Sequence, residues 1–520
     1  MNRNEFIDRI DSETGYWDVL VIGGGATGLG AAVESASRGY KTILLEQSDF
    51  AKSTSSRSTK LVHGGVRYLQ QGNISLVLEA LHERGLLRQN APHLVHNQSF
   101  VVPTYDWWDG PFYGVGMKVY DLLAGKLGLG PSEILSKEET LEKIPNIEPK
   151  GLRGGVIYYD GQFDDSRLAI NLAQTLYDEG GIPINYIKVK ELLKSSGFIN
   201  GVIAEDKETG IEYKINARVV INATGIFTDN ILKMDDKNAR EIIALSQGVH
   251  LVLDKKFLPG DSAIMVPQTD DGRVLFAVPW HNKVIVGTTD TPITQKTLEP
   301  RALEEEIEFI LHHASKYMVN DPSRKDVLSV FAGIRPLVKP AEDKSTAEIS
   351  RDHFLVISPT GLVTITGGKW TTYRKMAEDT INQAALVAGL EDKPSISKNL
   401  RIHGWLKNVD VKNHMYVYGS DGVAINKICE ENLDLSQQIH KDLPYIKAEV
   451  IWHVRNEMAR TLDDVLSRRT RALLLNAKAS IEMAEEVAKL MAAELDKDEK
   501  WQVDQVQIYK NLARGYLLDD

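Results

Sequence analysis

Three glycines near the start of the chain, Gly23, Gly25 and Gly28, stand in the spacing Gly-x-Gly-x-x-Gly, and an acid, Glu46, follows them. Each position has a chemical reason. The first glycine permits a tight turn, the second lets a pyrophosphate approach the backbone, and the third lets a helix pack closely on a strand. A helix beginning at this turn, which includes Thr27, points its amides at a diphosphate. Glu46 stands where an acid accepts hydrogen bonds from ribose hydroxyls. The pattern predicts a bound dinucleotide. Far along the chain, Thr366-Gly367-Gly368-Lys369 forms a second glycine turn, whose backbone amides suit the pyrimidine edge of a flavin.

Such residues need strands and helices to hold them, and the surrounding pattern supplies these. Trp17–Ile22 is an apolar run, a small-residue helix pattern follows through Ser37, and Thr42–Leu45 is a second apolar run closed by Glu46. The Ser/Thr-rich stretch at 50–69 has no clean periodicity and predicts a loop over a ligand; helical spacing resumes at 73–89. Strands are predicted at 156–160, 183–190 and 201–204, and another at 218–223 that runs into a further glycine turn at Ala223-Thr224-Gly225. Residues 246–290 and 328–366 are rich in short β-branched and aromatic segments and predict a mostly antiparallel sheet facing the substrate. After about residue 390 the spacing turns helical, most strongly in VIWHVRNEMARTLDDVLSRRTRALLL and ASIEMAEEVAKLMAAEL.

With 520 residues the chain exceeds the size, about 250–300 residues, at which one hydrophobic core stops growing, so two or three compact units are expected. Lys+Arg 61 against Asp+Glu 72 gives a net charge of -11, which argues against nucleic acid as a partner but leaves room for a local basic pocket that holds a small phosphate. The single cysteine, Cys429, excludes disulfides within the chain, cysteinyl iron-sulfur clusters and Cys-rich zinc sites, and no metal is expected. There is no basic-then-apolar leader and no apolar run of about 18 residues, which predicts a protein kept on the cytosolic side without a spanning helix.

The glycine triplet alone does not separate FAD from NAD. Its place near the N-terminus and the distant second turn at 219–225 are shared with flavoproteins of the glutathione-reductase type, and with the Gly367-Gly368 turn they predict FAD.

Four further stretches, STKLVHGGVRYL at 58–69, AGIRPL at 332–337, GGKWTTYR at 367–374 and NEMARTLDDVL at 456–466, resemble the respiratory, FAD-dependent glycerol-3-phosphate dehydrogenases. The similarity runs from about residue 17 to 490. It implies an α/β fold: an N-terminal FAD-binding Rossmann-like domain of the glutathione-reductase/D-amino-acid-oxidase type, an antiparallel-sheet substrate domain and a helical C-terminal domain. The division expected is 1–75, 150–245 and 350–388 for FAD, 76–149 and 246–349 for substrate, and 389–520 for the helical cap.

The resemblance also implies roles for residues. Arg335 and Lys369 match the family's phosphate and substrate contacts, with Arg67 and Arg351 nearby in the pattern, and guanidinium forks with an ammonium are the groups best suited to a phosphomonoester. His63 and His250 match histidines of the family pocket, where loss of the hydroxyl proton must accompany transfer of the C2 hydride; which of the two takes the proton is open. Tyr68 and Thr289 match positions that orient substrate oxygens. Ser55, Ser56, Ser58 and Thr59, with Gly64, Gly65 and Trp370, are expected around the noncovalent FAD. The family reading further implies a homodimer docked monotopically on the inner face of the cell membrane through 105–130, which carries Trp107, Trp108, Phe112, Tyr113, Met117, Tyr120, Leu122 and Leu123, its Trp, Tyr and Phe being interface-type side chains. A quinone accepts the electrons in this reading; the alternative is an oxidase of the same fold that uses O2 and makes peroxide.

Overall fold

The computed structural model describes residues 1–65, 73–106, 109–267, 269, 272–339 and 353–518. Among these residues one sheet has eight strands and another has ten. In the first, Val363–Gly367, Glu212–Asn222, Trp17–Ile22, Thr42–Leu45 and Ile182–Ile184 lie side by side and parallel, with His353–Ile357 antiparallel at one edge. Trp17–Ile22 and Thr42–Leu45 are almost wholly buried, which explains why they read as continuous apolar runs rather than alternating ones. The helix Ala26–Ser37 packs against Asp165–Asp178 and Tyr373–Ala388, closing the core of this half.

The second sheet is mostly antiparallel, as the β-branched segments predict. Its axis is Ile243–Asp254, which pairs along almost its whole length with Val327–Val338 and, on its other edge, with Lys283–Gly287 and Thr291–Ile293. This register sets Arg335 opposite Ser246, and His250 opposite both Phe331 and Gly287. Gly154–Phe163 belongs here too, paired with Val95–Thr104 over ten positions; the expected division had placed it with the cofactor unit. Leu61–Val62 joins the same sheet, so the loop from the cofactor turn is stitched directly to the substrate side.

The C-terminal part is helical, with Gly422–Glu431, Lys447–Glu457, Ala477–Leu495 and Glu499–Ala513 as its main helices. The long helical run expected around 450–475 is broken. Met458 (φ 53°) and Arg471 (φ 65°) are left-handed; Asp464, Arg468 and Arg469 between them, Glu457 just before them and Arg471 itself are buried. Their ion pairs tie the cap to the rest of the chain: Arg167 binds both oxygens of Glu457 at 2.7 and 2.8 Å, and Arg471 Nη2 lies 2.9 Å from Asp165. Removing one partner of such a pair strands a buried charge, at a cost of about 3–5 kcal/mol.

Candidate functional site

Between the two sheets lies one cavity of about 1210 Å³, lined at one end by Gly23, Gly25 and Glu46 and at the other by His63, Arg335 and Lys369. Small-ligand pockets are typically about 300–1,000 Å³, so this one has room for a dinucleotide and a substrate together.

The dinucleotide end is built as its residue types require. Gly23 has φ +113°, and a Cβ there would lie 2.6 Å from the Ala223 carbonyl oxygen. A Cβ on Gly28 would lie 1.9 Å from the Gly23 carbonyl oxygen, so only glycine lets the helix start so close to the strand. Gly25 caps Ala26–Ser37, and Ser55 Oγ accepts from the Ala26 amide at 2.9 Å. Glu46 accepts from the amides of Gly24 at 2.6 Å and Ser48 at 2.8 Å. Burial pushes its carboxyl up, against the lowering by those two amides. On the far side, Gly225 (φ +56°), Gly367 (+74°) and Gly368 (+69°) hold left-handed turns at strand ends facing the cavity. Trp370 Nε1 donates to the Ser55 carbonyl at 2.9 Å and joins this turn to the Ser/Thr loop. A cradle a Cβ would fill, a helix N-terminus and an acid at the end of the second strand fit FAD.

At the substrate end Arg335 spans the strand pair. Its Nη2 donates to Thr288 Oγ1 and the Thr289 carbonyl, both at 3.1 Å, and its Nη1 lies 3.5 Å from Asp290 Oδ1. Thr289 lines the cavity, but its hydroxyl accepts from the Val249 amide at 3.0 Å and donates to Glu306 at 2.8 Å. The neighbour that meets the guanidinium is Thr288, a residue the sequence reading missed although it stands in the same Gly-Thr-Thr-Asp stretch. His250 is 2% exposed, stacks on Phe331 at 4.9 Å and shares a 2.9 Å hydrogen bond between Nε2 and Thr59 Oγ1. Burial, and then the charges of Lys60 and Arg335, hold its pKa well below the ordinary histidine value, so the ring is neutral. His63 is anchored through its amide to Thr371 Oγ1 at 3.2 Å.

Thr27, Ser58, Thr59, Gly65, Ala223 and Gly225 also face this cavity. Gly28, Ser56 and Gly64 stand behind its wall: Ser56 Oγ donates to the Ser53 carbonyl, and the Gly64 amide donates to Tyr120 OH at 2.8 Å. Arg67, Tyr68 and Arg351 lie outside the described residues. Asp165, which from behind the wall holds Ser58 and Lys60, was not foreseen; two adjacent acids after a strand are too common a pattern to single it out.

The segment at 105–130 divides by face. It forms the helix Asp109–Ala124, whose Met117 and Tyr120 are 1% exposed and part of the interior, which corrects their expected place at a membrane interface. Tyr120 OH donates to Asp160 at 2.7 Å. Leu122, also expected at that interface, is 81% exposed, and Val115 and Val119, at helical spacing with it, are 67% and 40% exposed. Trp107 and Trp108 lie outside the described residues, as does the Phe112 side chain. No helix among the described residues is long and apolar enough to cross a membrane.

Comparison with known proteins agrees with this geometry. A family model described as FAD dependent oxidoreductase matches residues 18–374, and one described as the C-terminal domain of alpha-glycerophosphate oxidase matches residues 358–502. The mitochondrial glycerol-3-phosphate dehydrogenase of Macaca fascicularis is 41% identical over 96% of this chain and 73% of its own length, and that of Homo sapiens is 41% identical over 95% and 72%. The X-ray structure of a glycerol-3-phosphate dehydrogenase from Bacillus halodurans complexed with FAD superposes with a TM-score of 0.81 at 29% identity, covering 99% of this chain and 98% of that one. The chain therefore belongs to the FAD-dependent oxidoreductase family and, within it, to the glycerol-3-phosphate dehydrogenases.

Proposed function

We propose that the chain oxidises sn-glycerol 3-phosphate to dihydroxyacetone phosphate, with FAD supplying the hydride acceptor when bound. The observation that carries this reading is the sharing of one cavity by the dinucleotide cradle at Gly23, Gly25 and Glu46 and the cations Arg335 and Lys369. Arg335 and Lys369 clamp the phosphate, and that remote binding energy places the C2 hydrogen for transfer. A neutral imidazole can take a proton, and His250 is held neutral beside Thr59; His63, in the same wall, is the other candidate to receive the hydroxyl proton. Thr288 and the Thr289 carbonyl hold Arg335 in place. Gly23, Gly25, Ser55 and Glu46 hold the dinucleotide, and the turn at Gly367-Gly368 meets its ring system.

In this reading a membrane quinone reoxidises the enzyme, and a homodimer docks on the inner face of the cell membrane through the apolar stripe Val115, Val119 and Leu122. The second reading is an oxidase that passes electrons to O2, favoured by the match of residues 358–502 to a domain described from alpha-glycerophosphate oxidase. Anaerobic stopped-flow reduction with a panel of polyol phosphates, followed by mixing with O2 or a quinone, tests both parts. Reduction by glycerol 3-phosphate with fast reoxidation by quinone and slow reoxidation by O2 is expected; the reverse order of acceptors selects the oxidase.

A further inference from the structure

Residues 58–60 form a compact device in the cavity wall, which Ser58 and Thr59 line and behind which Lys60 is buried. Ser58 Oγ donates to Asp165 Oδ2 at 2.7 Å, and the Lys60 ammonium donates to the same oxygen at 2.7 Å and to the Ser56 carbonyl at 2.7 Å. The Lys60 amide returns to Ser58 Oγ at 3.0 Å. Asp165 is anchored in turn: its Oδ1 accepts from the Ser166 amide at 2.8 Å and from Arg471 at 2.9 Å. Lys60 has φ +63°, a conformation that a side-chain-bearing residue keeps only where its surroundings hold it. Thr59, between the two anchored residues, turns its hydroxyl the other way, onto His250 Nε2 at 2.9 Å. No other protein atom among the described residues hydrogen-bonds the His250 side chain, whose Nδ1 is buried without a partner. The ring's orientation therefore depends on Thr59 and on the Phe331 stack.

We propose that the buried Lys60–Asp165 ion pair is a positioning device of the active site: it fixes the backbone on both sides of Thr59 and so holds the Thr59 hydroxyl against His250. The inference rests on the assignment of His250 to the reaction. An ion pair that served only to join this loop to the helix Asp165–Asp178 would have no reason to bracket, one residue to each side, the side chain that bonds this imidazole. Both side chains are fully buried, and the ammonium lies over the rings of Phe331 at 5.2 Å and Trp280 at 5.4 Å. The charges that act on His250 are Lys60 and Arg335; burial lowers the Lys60 pKa to about 7 against the pull of Asp165, with Arg471 and Asp164 also near it, so Lys60 is cationic over the acid limb. Loss of the lysine therefore removes a charge that opposes protonation of the ring, in addition to loosening Thr59.

The test uses the FAD-loaded enzyme and follows anaerobic flavin reduction by saturating glycerol 3-phosphate across pH, for Lys60→Met, Ser58→Ala and His250→Asn beside the wild type. Lys60→Met leaves Asp165 paired with Arg471 and bonded by Ser58, so no carboxylate is stranded. It should keep FAD and substrate affinity, reduce flavin about tenfold more slowly, and move the acid limb of the profile up by about half to one pH unit. Ser58→Ala should slow reduction without moving that limb. Wild-type rates and limbs in both variants, with His250→Asn slow, overturn the positioning role and leave the assignment of His250 intact. A wild-type profile in His250→Asn overturns that assignment instead. If Lys60→Met does not fold, Ser58→Ala decides alone, and a wild-type rate there refutes the proposal.

Discussion

Gly248 and Arg335 occupy one another's space: a Cβ on Gly248 would lie 2.3 Å from Arg335 Nη2 and 2.7 Å from Thr288 Oγ1. The guanidinium lies across the backbone of the neighbouring strand because no side chain is there. Gly248→Ala should displace the fork while leaving its charge in the cavity. The expected loss in kcat/KM for glycerol 3-phosphate is about tenfold to a hundredfold, since the cation is present but misplaced. Unchanged efficiency in a folded, FAD-loaded Gly248→Ala would show that the position of the fork is unimportant.

The cofactor cradle makes a separate prediction. Gly28→Ala places a carbon about where the Gly23 carbonyl oxygen now stands, at 1.9 Å, so the turn must open. The variant should purify with little flavin and no yellow colour. From the wild type, acid precipitation should release FAD into the supernatant, because the glycine turn and Glu46 offer contacts without a covalent tether. Flavin retained on the precipitated polypeptide would contradict this.

The apolar stripe on Asp109–Ala124 separates docking from chemistry. Replacing Val115, Val119 and Leu122 together with serine should reduce liposome flotation severalfold while turnover with a soluble dye acceptor changes little. Loss of dye turnover with flotation unchanged would place the stripe in the catalytic fold and the membrane contact elsewhere.

His403 predicts a pH dependence of stability. It joins Asp178 at the end of Asp165–Asp178 to Asp421, which precedes the cap helix Gly422–Glu431, at 2.6 and 3.0 Å. Burial alone would lower its pKa, but the two carboxylates raise it from 6.5 to about 9. Because the folded value lies above the unfolded one, the stabilisation is complete below about pH 6.5 and is lost as pH rises through about 9. Urea midpoints should therefore fall over that window in the wild type and fall less in His403→Gln. Parallel curves for the two proteins would contradict the assignment.

What the residues disclosed in advance depended on whether the determinant was local. The strand, turn and helix around Gly23, Gly25 and Gly28 are fixed by neighbours a few residues away, and the spacing alone identified them. Thr59 lies in one of the stretches that carry the resemblance, while His250, nearly two hundred residues away, came only as a match to a histidine of the family pocket, and nothing in the sequence indicated that they touch. Asp165 was invisible because its function comes from Lys60 and Arg471, which only the fold brings to it. The faces of Asp109–Ala124 were misread in part, because residue type was taken as the guide to orientation: Leu122 is exposed as expected, but Met117 is buried and Tyr120 points inward to satisfy Asp160 and Gly64. The strand expected at 183–190 is divided at Tyr186, whose φ of 59° turns the chain from Ile182–Ile184 into Ile187–Ser195. The helix expected through 458–471 is interrupted at Met458 and Arg471, with only a π-helical turn at Asp464–Arg469 between them, because buried charges that no periodicity records pack there.

The central claim is that Arg335 recognises the phosphate, and substrate discrimination by Arg335→Ala tests it most directly. Removing the fork leaves the bound phosphate under-compensated, a loss of about 2 to 5 kcal/mol. In kcat/KM for glycerol 3-phosphate that is roughly thirtyfold to several thousandfold. Glycerol, a poor substrate with no phosphate to hold, should lose much less, so the ratio of the two efficiencies should collapse toward unity. If Arg335→Ala folds, retains FAD and still prefers glycerol 3-phosphate to glycerol by the wild-type ratio, the phosphate clamp is not at Arg335.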